Sequence, residues 1–225
     1  MLRHPFSLII SGPSGIGKTS LVYNLLCKKN VVLDKNDDFI NFDAIIVLYK
    51  SFQPLYQEMQ NKFHIPVYLF QNKLPTSLST LLSDIGAINP IIIVDDGLSA
   101  ENQDLVLDLF TRLSHHLNIS VILICQSIFD SHTPTLRICH RNAKYLIIFS
   151  CPRDMNMLRT LIYQMNTCRK KGQQILNVLE EELSKPRGYI LIDLHPITQP
   201  ALRYRTNILS EKEPYPIIFA FPDAI

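Results

Sequence analysis

Glycine is scarce in this chain, at seven of 225 residues, and three of the seven crowd into one short stretch at Gly12, Gly15 and Gly17. Long apolar runs are also missing. No stretch reaches the 18 or more apolar residues of a membrane span. The first apolar run, Phe6 to Ile10, is broken by Ser11-Gly12-Pro13 and is too short for a signal-peptide core. A soluble, intracellular protein with no membrane partner is the expectation. The five cysteines (Cys27, Cys125, Cys139, Cys151, Cys168) are odd in number and never spaced C-x-x-C, which argues against a disulfide framework or a zinc ribbon. Cys125, His132, Cys139 and His140 form a loose metal candidate, set against the simpler reading of thiols buried in or beside apolar strands. Charge of one sign is lacking too. A net charge of +2 and a pI of about 8.2 do not announce a nucleic-acid binder, although a basic face can sit inside a near-neutral total.

The length suits one domain over residues 1–225, with about 210–225 as a possible C-terminal arm or terminal strand around Ile217-Ile218-Phe219. Apolar, β-branched runs recur at Phe6–Ile10, Ala44–Tyr49, Val67–Phe70, Ile91–Val94, Ile119–Cys125, Tyr145–Phe149 and Tyr189–Leu194. They are continuous, not alternating, as in strands of a parallel sheet covered on both faces. Helical spacing appears in Leu21, Val22, Leu25 and Leu26, and again in Leu105, Val106, Leu109, Phe110, Leu113 and Leu117. It recurs in Leu158, Leu161, Ile162 and Met165, and in Ile175, Val178 and Leu179. Residues 30–41, 71–79 and 131–136 read as loops. The alternation predicts a three-layer α/β fold with a mainly parallel sheet, whose ligand crevice lies at the carboxyl ends of the strands.

Gly12-Pro13-Ser14-Gly15-Ile16-Gly17-Lys18-Thr19 matches G-x-x-x-x-G-K-[ST] completely, between a buried strand and an amphipathic helix. A chance match in a chain this long is on the order of one in a hundred. Glycines let successive backbone N–H groups turn toward phosphate oxygens, and the positive end of the following helix adds to the field. Gly12 to Ser20 is therefore the predicted ATP-binding segment, with Lys18 on the β- and γ-phosphates and the Thr19 hydroxyl on Mg²⁺. Ile91-Ile92-Ile93-Val94-Asp95-Asp96 is a buried strand ending in two carboxylates, a costly placement unless they are paired or hold metal. Asp95 is the candidate Mg²⁺ ligand, and Asp96 the residue that orients or deprotonates the attacking water. The strand Ile119–Cys125 ends in Gln126, which either senses the γ-phosphate or faces solvent. A strand and helix between the acidic strand and Gln126 fit the branch of P-loop NTPases with an additional strand.

These motifs resemble the viral DNA-packaging ATPases of the FtsK-HerA superfamily, of the type found in poxviruses, Polintons and adintovirus-like genomes. The resemblance spans most of the chain. It rests on Gly12 to Thr19, Phe52-Gln53-Pro54-Leu55-Tyr56, Ile93-Val94-Asp95-Asp96, Cys125-Gln126-Ser127-Ile128-Phe129, and Arg137 with Asn142-Ala143-Lys144-Tyr145. It continues through Pro152-Arg153-Asp154, Gln164, Gly188 to Leu194 and Arg203 to Asn207. It implies Mg-ATP hydrolysis with Gln126 as sensor and an additional-strand, RecA/FtsK-like fold. It also implies a ring of five or six subunits around double-stranded DNA, partners at a capsid or portal, and a site of action in a host nucleus or a cytoplasmic viral factory, or in the virion. Arg137 best matches the arginine that completes a neighbour's site in trans, with Arg141 and Arg153 as rivals. Cys125, Ser127 and Cys151 depart from the family's usual residues.

Three basic groups are candidates for phosphate contact: Arg137 with Arg141, Lys144 and Arg153; Arg169-Lys170-Lys171; and Arg203 with Arg205. No helix-turn-helix, zinc finger or base-stacking platform appears, so contact with DNA is predicted to ignore sequence. Two other functions share the phosphate loop. One is a nucleotide or small-molecule kinase, for which Arg169-Lys170-Lys171 is the candidate lid. The other is a slow ATPase that switches a binding surface.

Overall fold

In β2 (Ser7–Ser11) all five residues are buried, and the neighbouring strands repeat that pattern. A computed structural model of the chain describes residues 1–28, 30–96, 102–127, 133–166, 168–209 and 216–221. β1 (Leu2–Arg3) precedes β2, and α1 (Lys18–Cys27) follows it. Next come β3 (Val32–Leu33), β4 (Ala44–Tyr49), α2 (Pro54–Lys62), β5 (Val67–Gln71), α3 (Leu78–Ile85) and β6 (Pro90–Asp95). α4 (Gln103–Asp108) passes through a π turn at Leu109–Leu113 into α5 (Ser114–His116), ahead of β7 (Ser120–Cys125), α6 (Pro134–Asn142) and β8 (Tyr145–Phe149). The chain continues through α7 (Met155–Met165), α8 (Arg169–Ser184), β9 (Tyr189–Asp193), β10 (Tyr204–Thr206) and β11 (Ile217–Ile218).

Nine strands form one sheet in the order β11-β10-β9-β8-β2-β7-β6-β4-β5, and β1 pairs with β3 in a separate parallel ribbon. From β8 through β5 every pairing is parallel. Successive side chains of a strand point to opposite faces, and the core divides accordingly. Leu8, Ile10, Ile45, Val47, Ile91, Ile93, Ile122 and Ile124 pack with α1 and α2 on one face. Ile9, Ile46, Ile92, Val94, Val121, Leu123, Leu146 and Ile148 pack with α3, α4, α6, α7 and α8 on the other. This is the predicted three-layer α/β architecture. Each fully buried Ile, Leu or Val side chain contributes about 1.5–3 kcal/mol, so strands buried on both faces supply most of the drive to this layering.

Three features depart from the sequence reading. β9 runs antiparallel to β8, because two helices, α7 and α8, separate the strands, and a second helix carries the chain back to the edge it left. α2, α3 and α6 are helices where no apolar stripe was recognised. α2 buries only Tyr56 and Met59, too thin a stripe to stand out. α6 opens with Pro134 at its first helical position, where a missing N–H costs nothing, so the stretch 131–136 read as loop is helical from Pro134. The loop 71–79 likewise closes into α3 from Leu78, with the Ser77 hydroxyl accepting from Thr80 N at 3.2 Å as its cap, and the loop 30–41 contains β3. At the C-terminal end, Ile217 and Ile218 pair with Thr206 and Arg205 of the same chain. Residues 210–215 and 222–225 of the arm expectation lie outside the described residues. Among the described residues, no helix is long and apolar enough to cross a membrane.

Candidate nucleotide site

The loop from Gly12 to Gly17 leaves the carboxyl end of β2 and enters α1 at Lys18. A Cβ at Gly12 would meet Phe149 Cβ of β8 at 2.7 Å, so only glycine lets the loop pass that strand. Gly17 precedes the helix at φ 107°, a left-handed conformation that glycine adopts without penalty. Ser14, Gly15 and Ser20 are exposed along the loop and the first turn, with Pro13 and Ile16 half-buried between them. Lys18 is buried to 8% exposure, and its Nζ donates to the carbonyls of Gly12 at 2.7 Å and Pro13 at 3.0 Å. The ammonium thus lies along the inside of the loop, held by oxygens of the segment it would serve.

Asp95 ends β6 with the same facing as Ile91 and Ile93, toward α1 and α2. That parity delivers it to Thr19 of α1, whose hydroxyl donates to Asp95 Oδ2 at 2.9 Å. The same oxygen accepts from the Tyr56 hydroxyl at 2.7 Å and from Gln53 Nε2 at 3.2 Å, both contributed by the start of α2. Burial raises the Asp95 carboxyl above the usual carboxylate range, opposed by the Tyr56 and Thr19 hydrogen bonds. Tyr56, itself buried, is pushed strongly upward by desolvation and by Asp95, so its hydroxyl stays protonated and donates. Asp96 is exposed at φ 50°, and its N–H extends the ladder to Ile124 O at 3.3 Å. Ser14, Gly15, Gly17, Lys18, Thr19, Ser20, Gln53, Asp95 and Asp96 line a cleft of about 220 Å³. Two hard oxygen donors, the Thr19 hydroxyl and the Asp95 carboxylate, stand together at this cleft, and that donor set suits Mg²⁺.

β7 lies directly between β2 and β6, with Cys125 opposite Ser11 and Ile124 opposite Asp95. Gln126, the next residue, is therefore exposed at the same edge as the loop and the acidic pair, lining a neighbouring space with Asp96, Ser127 and Thr133. Ile128 and Phe129 of the sensor motif lie outside the described residues, as does Gly97.

Arg137 is exposed in the first turn of α6, near that edge, and Arg153 is exposed in the short turn after β8. Arg141, in the last turn of α6, is carried toward the opposite edge, where β8 begins. The structure thus brings together Gly12 to Ser20, Asp95, Asp96 and Gln126 and sets the three arginines outside the cleft. Gln53 and Tyr56 are partners of Asp95 that the sequence marked only as part of a family motif. Their signal was a Pro54 helix start a few residues after a buried strand.

Several candidate roles are corrected. Arg205 is buried at 8% exposure, paired with Asp193 at 2.6 Å and donating to Leu202 O at 2.7 Å, so it faces the interior and not a phosphate backbone. Lys144 donates to Pro5 O at 2.7 Å at the sheet edge opposite the loop, so it does not form one patch with Arg153. Arg169-Lys170-Lys171 opens α8 at that same far edge, because α7 has already run back across the sheet; it is not a lid over the loop. Cys125 and Cys139 are buried thiols in one apolar cluster, and burial pushes the Cys139 thiol up to about 12. His132 lies outside the described residues, and no metal-holding group of His, Cys, Asp and Glu occurs among the described ones.

Loop, acidic strand and intervening β7 together define the additional-strand P-loop NTPase architecture. No protein-family model matches the chain, and no curated protein sequence matches it. Among solved structures, the N-terminal domain of zonular occludens toxin from Neisseria meningitidis superposes at a TM-score of 0.40 and 17% identity, over 67% of this chain and 79% of that one. A likeness that distant has no bearing on function.

Proposed function

We propose that the chain is an Mg-ATP-hydrolysing motor that translocates double-stranded DNA and packages a viral or Polinton-like genome into capsids. The observation that carries the ATPase reading is the Thr19–Asp95 hydrogen bond at 2.9 Å, which joins two motifs 76 residues apart beside Lys18. Loop N–H groups and Lys18 bind the triphosphate, and Thr19 and Asp95 hold Mg²⁺. The metal, when bound, supplies positive charge to the β- and γ-phosphates. Asp96, exposed at the mouth of the cleft, orients the attacking water. Gln126, at the end of the intervening strand, senses the terminal phosphate. Arg137 of a neighbouring subunit completes the site in a ring of five or six copies, and DNA contact is through phosphates without regard to sequence. The motor reading rests on the sequence resemblance, and the place of action it implies is a host nucleus or viral factory.

The test is the ATPase rate with and without double-stranded DNA. Several-fold stimulation that fades as salt rises, as phosphate contacts require, is the expected result. A rate indifferent to DNA defeats the motor reading, and phosphate appearing on a small acceptor replaces it with the kinase.

A further inference from the structure

One oxygen of Asp95 is crowded. Oδ2 accepts from Thr19, Gln53 and Tyr56 at 2.9, 3.2 and 2.7 Å, and no described side chain donates to Oδ1. The shortest of the three bonds comes from Tyr56, which is 0% exposed and reaches the cleft through Asp95. Its ring is fixed from two sides, with the Tyr49 ring 5.2 Å away and the Phe52 ring 5.9 Å away edge-on. Phe52 is 53% exposed and covers this aromatic group from solvent. A hydroxyl held that firmly against one carboxylate oxygen fixes the carboxylate's rotation, and Oδ1 of this cleft-lining residue is left for another partner.

Resting on the nucleotide reading above, we propose that Tyr56, assisted by Gln53, is a positioning residue for the metal. The two hold Asp95 so that Oδ1 faces the Mg²⁺ shell, and they tie the start of α2 to the occupancy of the site. Partners that orient a ligating carboxylate are worth about 10–100-fold in metal affinity. A Tyr that merely packs would show no such effect when only its hydroxyl is removed.

The experiment is calorimetric titration of the full chain with ADP, in EDTA and across a series of Mg²⁺ concentrations, for wild type, Tyr56→Phe and Gln53→Ala. Tyr56→Phe keeps the ring contacts and deletes the hydroxyl. The Mg²⁺ concentration giving half of the metal-dependent tightening is expected to rise about 10–100-fold, while ADP affinity in EDTA stays at the wild-type value. Gln53→Ala, at a half-buried helix start, is expected to shift it several-fold in the same direction and serves if Tyr56→Phe fails to fold. Unchanged metal dependence in the folded variants overturns the positioning role alone. A wild-type chain that binds no ADP in either condition overturns the nucleotide site with it.

Discussion

Lys18 combines near-complete burial with two hydrogen bonds to its own loop, at 2.7 and 3.0 Å. A buried ammonium must be paired or hydrogen-bonded, and here the carbonyls of Gly12 and Pro13 hold it within the loop whose N–H groups would face phosphate. Replacing it with alanine removes the charge at a position outside both apolar clusters. Lys18→Ala is expected to reduce ATP hydrolysis to background while the thermal midpoint stays within a few degrees of wild type, read by phosphate release and circular dichroism. Retained hydrolysis would remove Lys18 from the phosphate site. Asp95 differs in kind. Its carboxylate is costly to bury, and the three donors around Oδ2 lower that cost while setting its orientation.

Among the elements, the junction of β9 and β10 adds a buried ion pair to its strand pairing. Asp193 is 2% exposed and Arg205 8%, their charged atoms 2.6 Å apart. Arg205 also donates to Leu202 O, and the second Asp193 oxygen accepts from His195 N at 3.0 Å. Removing one partner of a buried pair leaves the other charge uncompensated, at a cost of about 3–5 kcal/mol. Arg205→Met is therefore expected to lower the thermal midpoint by about 6–20 °C, at about 2–4 °C per kcal/mol for a chain of this size. Asp193→Leu combined with Arg205→Met should recover much of that loss, because two apolar groups leave no stranded charge. If the single substitution is as stable as wild type, the pair is not what fastens the antiparallel edge to the parallel sheet.

For the molecule as a whole, four histidines dispersed over the fold (His4, His115, His140 and His195) have pKa values lowered from their ordinary 6.5, in each case chiefly by burial. The unfolded chain therefore binds more protons than the folded one as pH falls through about 6.5 and below. The part of the stability that rests on these neutral imidazoles is fully present above that value and declines on acidification. Asp95, raised in the fold chiefly by burial, acts with the opposite sign, one carboxylate against four histidines. The thermal midpoint is expected to fall between pH 7.5 and about 5.5. His4→Asn, whose amide takes the place of Nδ1 beside Ser120 Oγ, now 2.7 Å away, should flatten part of that slope. A midpoint independent of pH over this range would show that the histidines titrate alike in both states.

The sequence by itself determined the strands that build the parallel sheet, the loop from Gly12 to Thr19 and the acidic end of β6. Each is written locally: a run of apolar residues, a glycine spacing, two carboxylates after four buried residues. Tertiary structure decided what those patterns meet. That β7 stands between β2 and β6 follows from pairing across the sheet, which no periodicity encodes, and that order sets Gln126 beside both motifs. Tyr56 and Gln53 reach Asp95 from 39 and 42 residues away because α2 covers the face to which Asp95 points. Arg205, in sequence one basic residue among several, is turned inward by an aspartate on the adjacent antiparallel strand. Identity and spacing prescribe which residues carry charge, but the layering of sheet and helices decides whether that charge faces a ligand, a neighbour or the core.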